Sequence, residues 1–162
     1  MKLSKECISE LSAYAYRFAL LTLKNKEDAE DVMQEVIYTL LKTELEKTDN
    51  SALKAWTYKT TISKCLNLRR NSWFKKRIPL SEEEIFLFPD AEENTDDKID
   101  IIEAFRKLPL KYSNIVYLYD VAGYSVKEIS TILNIKESTV YTRLHRGHEK
   151  LRKDLKVCAY EI

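Results

Sequence analysis

Between Ala29 and Leu41 the apolar residues fall at Ala29, Val32, Met33, Val36, Ile37, Leu40 and Leu41. Steps of three and four residues bring all of them to one face of an α-helix, whereas a strand would scatter them over two faces. Such an amphipathic helix is stable only when its apolar face is covered. Two partners are predicted beside it. One runs from Ser4 to Lys24, with Ile8, Leu11, Ala15 and Phe18 facing inward, and Asn25 then caps the helix that follows. After a polar break at Thr48 to Ser51, the other runs from about Ala52 into the low seventies, with Ala55, Tyr58, Ile62, Cys65 and Leu66 inward. The three should form one bundle. With 2 Gly and 3 Pro in 162 residues, little else interrupts helices.

Pro79 stops this pattern. From Leu80 to Asp97 the chain is acidic, contains Pro89 and keeps no sustained period, as a linker does. Its run Ile85 to Phe88 could dock locally. A second helical set follows: Lys98 to Lys107, Leu110 to Val121 ended by Gly123, Ser125 to Leu133, and Glu137 to Lys156. Ser125 and Glu128 have the spacing of a reciprocal capping box. Leu133-Asn134-Ile135-Lys136 then makes a sharp corner, because Asn tolerates the left-handed backbone. The predicted fold is all-α: two small helical domains, residues 1–78 and 98–162, joined by an acidic linker, residues 79–97.

The net charge of +1 conceals a segregation. Lys54 to Arg77 holds eight basic residues and no acidic one; Glu82 to Glu103 holds ten acidic residues and one Lys; Lys136 to Lys156 holds seven basic and three acidic. Two basic blocks around an acidic one point to two surfaces for a polyanion, separated by a segment that avoids it. Other classes recede. Cys7, Cys65 and Cys158 are odd in number, lack zinc-ligand spacing and read as reduced thiols. The first ten residues lack a signal-peptide core, and no run is long enough to span a bilayer, so a cytoplasmic chain without membrane insertion is expected. There is no glycine-rich phosphate loop, and the only histidines, His145 and His148, lie in the last basic helix. No enzymatic activity, metal or cofactor is expected.

Three constellations remain. On the last helix Val140, Leu144 and Leu151 share the inner face with Val126, Ile129, Leu133 and Ile135 of the preceding turn; Ser138, Thr142, His145 and Glu149 fall opposite, flanked by Tyr141, Arg143 and Arg146. This is either a solvated basic hairpin or a recognition helix for a major groove. On the third helix Trp56, Thr60, Ser63, Asn67, Arg70 and Phe74 follow one line, extended by Trp73, Lys75, Lys76 and Arg77. They either pack in a core beside a solvated cationic face or stack on unpaired bases and hold phosphates. On the second helix Asp28, Asp31, Gln34 and Glu35 form an acidic stripe, which either complements the helix dipole or grips a basic partner.

In this order the three resemble the sigma-70 superfamily, in its extracytoplasmic-function branch. Asp28 to Val36, DAEDVMQEV, looks like the AED-x-x-QE signature of region two; Ala55 to Arg70, AWTYKTTISKCLNLRR, looks like the promoter-melting helix; Gly123 to Leu155 looks like the region-four helix-turn-helix. The resemblance implies a polymerase specificity subunit. Asp31, Gln34 and Glu35 would bind the clamp helices of the largest subunit of core RNA polymerase, with region four on its flap. Trp56, Ser63, Asn67 and Arg70, with the Thr48 to Leu53 loop, would engage the −10 element and a flipped base. Thr139, Tyr141, Thr142, Arg143, His145 and Arg146 would read the −35 element of promoter DNA as duplex. An anti-sigma factor holds many relatives. Ser63 stands where the family commonly has Asn, and Gly147-His148 where it commonly has Ala-Arg. A helix-turn-helix repressor would account for Ser125 to Lys156 and leave the other two stripes unused; a sigma-like decoy would bind polymerase without initiating.

Overall fold

The computed structural model describes residues 3–43, 49–70 and 95–155, with side chains from residue 101 onward in the last stretch. The described elements are helical and divide into two compact units, residues 1–78 and 79–162.

The first unit contains α1 (Lys5–Leu23), α2 (Lys26–Lys42) and α3 (Asn50–Arg70). Local chemistry sets their ends. Ser4 Oγ accepts from the Cys7 N–H at 3.1 Å and so caps α1. Lys24 closes that helix in the left-handed region (φ 59°), its N–H donating to Leu20 O. Asn25 Oδ1 accepts from the Asp28 N–H at 3.0 Å and opens α2, as its sequence position predicts. α1 packs on both α2 and α3. Leu11, Ala15 and Phe18 meet Ala29, Val32, Val36 and Leu40 of α2 and Leu53, Tyr58, Ile62 and Cys65 of α3 in the buried interior. Phe18 stands edge-on to Tyr58 with centroids 5.9 Å apart.

Three expectations need correction. Leu41 is 60% exposed and lies outside the core. The buried face of α3 turns on Thr57 and Thr61 as well as Tyr58, Ile62 and Cys65, while Ala55 and Leu66 are only half-buried. Each threonine hydroxyl donates to a carbonyl one turn back, Leu53 O at 2.8 Å and Thr57 O at 2.7 Å. That satisfies the polar atom inside its own helix and lets a Thr fill a core position. Finally, α3 begins at Asn50, because Asp49 Oδ1 accepts from the Ala52 N–H at 2.7 Å. Most of the predicted Thr48 to Leu53 loop is therefore the first turn of a helix, with Leu53 in the core. Cys7 and Cys65 are free thiols. Burial pushes the Cys65 thiol up to about 12, which leaves it unreactive at neutral pH. Cys158 lies outside the described residues.

The second unit contains α4 (Thr95–Lys107), α5 (Leu110–Val116), a π-helical turn (Tyr117–Val121), α6 (Val126–Leu133) and α7 (Glu137–Leu155). The predicted linker lies mostly outside the described residues, but its last three belong to α4. Acidic residues suit a first helical turn as well as a linker, so composition alone misses this boundary. The helix predicted from Leu110 to Val121 is wound wider over its last five residues, where Ala122 N–H donates to Tyr117 O at 2.9 Å. Gly123 (φ 82°) then turns the chain away. Ser125 Oγ accepts from the Glu128 N–H, and the Glu128 carboxylate accepts from the Ser125 hydroxyl at 3.2 Å rather than from the cap's backbone. Asn134 takes the predicted left-handed conformation (φ 55°, ψ 50°). The Ile135 N–H donates to Ser130 O and the Ser130 hydroxyl to Ile135 O, which locks the corner between α6 and α7. Among the described residues no helix is long and apolar enough to cross a membrane.

α7 organises this unit, touching α4, α5 and α6. Its approach to α5 depends on Gly147. A Cβ there would sit 2.6 Å from Val116 Cγ2 and 3.4 Å from Tyr112 Cβ. Val116 is itself buried and has little room to yield. Gly147→Ala should therefore lower the thermal midpoint of the full chain: overpacking costs ~1–3 kcal/mol, against about 1 kcal/mol gained in helix propensity. Gly147→Leu should lower it further. A raised midpoint for the alanine variant would mean that α5 and α7 are not in close contact.

Candidate polymerase and nucleic-acid interfaces

On α2 the expected partner face is open to solvent. Asp31, Gln34 and Glu35 are all exposed. Asp28, behind them, is half-buried. Burial first, then the charges of Asp31 and Glu27, hold its carboxyl above the usual carboxylate range. The acids here repel one another, so a cationic partner would relieve strain in the free surface. Glu35 Oε2 is 3.4 Å from Lys64 Nζ, which ties α2 to α3 at the surface. Further along the same line Tyr38 and Leu41 are each 60% exposed, with the Lys42 ammonium 4.4 Å above the Tyr38 ring. The acidic stripe thus continues into an exposed apolar end.

On α3 the predicted line divides. Ser63, Asn67 and Arg70 are exposed. Trp56 and Thr60 are half-buried, and Trp56 packs against the cluster of Leu11, Leu40 and Leu53. The first half of the stripe is therefore bundle structure and the second half is free surface. Trp73, Phe74, Lys75, Lys76 and Arg77 lie outside the described residues.

On α7 the inner face holds Val140, Leu144 and Gly147, with Ile129 and Ile132 buried from α6. Opposite them Ser138, Tyr141, Thr142, His145, Arg146 and Glu149 are exposed, Tyr141 by 62%. Thr139 and Arg143 are half-buried on one flank. The Thr142 hydroxyl donates to Ser138 O at 2.9 Å, and His145 Nε2 lies 3.3 Å from Glu149 Oε1. A projecting helix end carries small polar, aromatic and guanidinium groups, the equipment needed for base edges and phosphates.

Sequence reading missed several residues beside these. Lys64 lies off the stripe that drew attention to α3. Lys150 comes within 6.0 Å of the Tyr112 ring centroid only because α5 crosses α7, so no local pattern announces that pair. His148 Nε2 is 2.7 Å from Asp120 Oδ2 on the π-turn. The histidine found in place of the family's usual Arg thus has a partner within its own unit. Among the described residues no group of three His, Cys, Asp or Glu is placed to hold a metal ion.

Comparison with known proteins bears directly on these surfaces. The family model for sigma-70 region 2 matches residues 4–74, and the model for sigma-70 region 4 matches residues 98–151. The chain is 29% identical over 149 residues to the RNA polymerase sigma factor SigV of Bacillus subtilis, covering 92% of this chain and 89% of that one. It is 28% identical to the ECF sigma factor SigM of the same organism, covering 85% of each. The fold resembles that of the sigma factor RpoE from Bartonella quintana, solved in complex with the anti-sigma factor NepR, with a TM-score of 0.72 over 95% of this chain and 94% of that one, at 18% identity. Region 2 accounts for α1 to α3 and region 4 for the helix-turn-helix unit. The chain belongs to the sigma-70 family, in its extracytoplasmic-function branch: a non-enzymatic sigma factor of RNA polymerase that directs transcription initiation.

Proposed function

We propose that this sigma factor works through three surfaces: it binds core RNA polymerase through Asp31, Gln34 and Glu35 on α2, captures unpaired −10 bases with Ser63, Asn67 and Arg70 on α3, and reads a −35 duplex with α7. In this reading the acidic stripe meets the clamp helices of the largest subunit and region 4 meets the flap. The acidic linker is repelled by DNA and lies within polymerase. The chain hydrolyses nothing. Capture of unstacked bases shifts the promoter toward the open form, at a few kcal/mol per base. The site of action is the cytoplasm, and an anti-sigma factor is a fitting regulator, since the structurally similar RpoE was solved with one.

The observation that carries the reading is the exposed face of α7, held out by the locked Asn134 corner. Thr142 is short and touches only what the helix presses against. Tyr141 is long and exposed. If both face base edges, Tyr141→Ala and Thr142→Ala should each change the preferred −35 sequence by about 1–3 kcal/mol per lost contact. Arg143→Ala should instead weaken all promoters alike. Transcription by the reconstituted holoenzyme from a randomised −35 library measures this. Unchanged preference in the Tyr141 and Thr142 variants would remove α7 from the major groove.

A further inference from the structure

The solvent face of α2 carries more than acids. Asp31, Gln34, Glu35, Tyr38, Leu41 and Lys42 are all exposed. On a helical wheel they fall within about 120° of one another, opposite the core residues Ala29, Val32, Val36 and Leu40. Their steps of three and four residues are the spacing at which one helix can lie along another. The line changes character along its length. It starts acidic, passes through Tyr38 and Leu41, each 60% exposed, and ends on Lys42. Two large apolar side chains side by side on one exposed face gain by being covered.

The charges select what covers them. A parallel copy of α2 would set Asp31 against Asp31 and Lys42 against Lys42, which is repulsive. An antiparallel copy, related by a two-fold axis between the helices at the level of Tyr38, does the opposite. At a rise of ~1.5 Å per residue, Lys42 of one copy comes within about 1.5 Å of the level of Glu35 of the other. Both residues lie on the same flank of the line, so the two-fold brings them together on one side of the contact, once at each end. Tyr38 meets its own symmetry mate at the centre, with Leu41 beside it. The face is therefore complementary to itself.

We propose that α2 is also a self-association face: two copies of the free chain pair antiparallel through Tyr38 and Leu41, with Lys42 of each on Glu35 of the other, and the pair occludes the surface that binds polymerase. Such a contact is isologous and closes at two copies. One helix face is small beside the ~1,200 Å² of a stable interface, so the dimer is weak, with a dissociation constant of roughly tens to hundreds of micromolar. The occlusion rests on the reading of Asp31, Gln34 and Glu35 as the polymerase contact; the self-association does not.

Sedimentation velocity on the full chain, from about 5 to about 500 µM, tests the dimer. The wild type should pass from monomer to dimer across this range. Leu41→Ala should raise the dissociation constant about tenfold or more, because the side chain is lost twice per dimer. Glu35→Lys and Lys42→Glu should each stay monomeric alone, since like charges then face each other at both ends. An equimolar mixture of these two variants should dimerise again, because every 35–42 pair is then opposite in sign. All these side chains are exposed, so the thermal midpoints should stay near the wild type. A wild type that is monomeric throughout, or a mixture of the two charge variants that stays monomeric, would overturn the self-association. A Tyr38→Cys chain that also carries Cys7→Ser and Cys158→Ser tests the occlusion. Oxidation should lock two copies across the two-fold, the locked pair should not bind core polymerase, and reduction should restore binding. A locked pair that still binds core would overturn the occlusion. Wild-type core affinity after charge reversal at Asp31 and Glu35 would instead refute the polymerase reading of this face and leave the dimer standing.

Discussion

Reversing charge at Asp31 and Glu35 together should abolish binding to core polymerase without unfolding the chain. Both side chains are exposed and neither contributes to the core. The one ion pair lost, Glu35 with Lys64, joins side chains that are 65% and 26% exposed. Such a surface pair is worth about 1 kcal/mol or less. At a desolvated contact the same change replaces attraction by repulsion, and losing one partner of a buried charge pair costs about 2–5 kcal/mol. Core affinity should therefore fall ~30-fold or more for each pair broken. Co-elution with purified core, beside a thermal melt of the free variant, checks both halves. Lys64→Ala serves as the control: it frees Glu35 and should leave core binding intact or improve it. Wild-type affinity in the double variant would move the polymerase contact off this face.

Open-complex formation should collapse in the Asn67→Ala, Arg70→Ala double variant while the closed complex persists. These side chains are exposed at the end of α3 and hold nothing in the bundle together. Stacking and phosphate contacts to unpaired bases are worth about 1–3 kcal/mol per base, so melting should fall from about fivefold to more than a hundredfold. Permanganate reactivity of promoter thymines reports the open state, and a gel shift of the holoenzyme reports the closed one. Trp56 behaves differently. It packs on Leu11, Leu40 and Leu53, so Trp56→Ala should cost the fold about 1–3 kcal/mol as well. Equal loss of closed and open complexes in the Asn67, Arg70 variant would mean that this surface only holds duplex phosphates or polymerase.

The contrast between Trp56 and Asn67 shows where sequence reasoning stops. The 3.6-residue period correctly placed both on one line, but a line on a wheel does not say where a neighbouring helix ends. α1 and α2 cover the first half of the line and leave the second half free. The same limit misplaced Leu41, which continues the apolar face of α2 beyond the reach of its partners. Thr57 and Thr61 failed for another reason: hydropathy counts a hydroxyl as polar, yet one bonded to a carbonyl of its own helix can be buried at little cost. Where the signal is local chemistry, sequence reading succeeded. The Asn25 cap, the Ser125 cap and the left-handed Asn134 each depend on a few adjacent atoms and stand as expected. The approach of Lys150 to the Tyr112 ring depends on the close helix crossing at Gly147, and no local window of sequence contains it.

The account's central claim is that two separate surfaces of one small chain read two separate promoter elements for the same polymerase. Single-round transcription by purified core plus this chain tests it most directly, on templates randomised across both upstream positions. Sequencing the transcribed templates should reveal two enriched motifs at a fixed spacing. Substitutions at Tyr141 or Thr142 should change only the upstream motif, and substitutions at Asn67 or Arg70 only the downstream one. A single enriched motif, or stable binding to core with no transcript, would contradict the account.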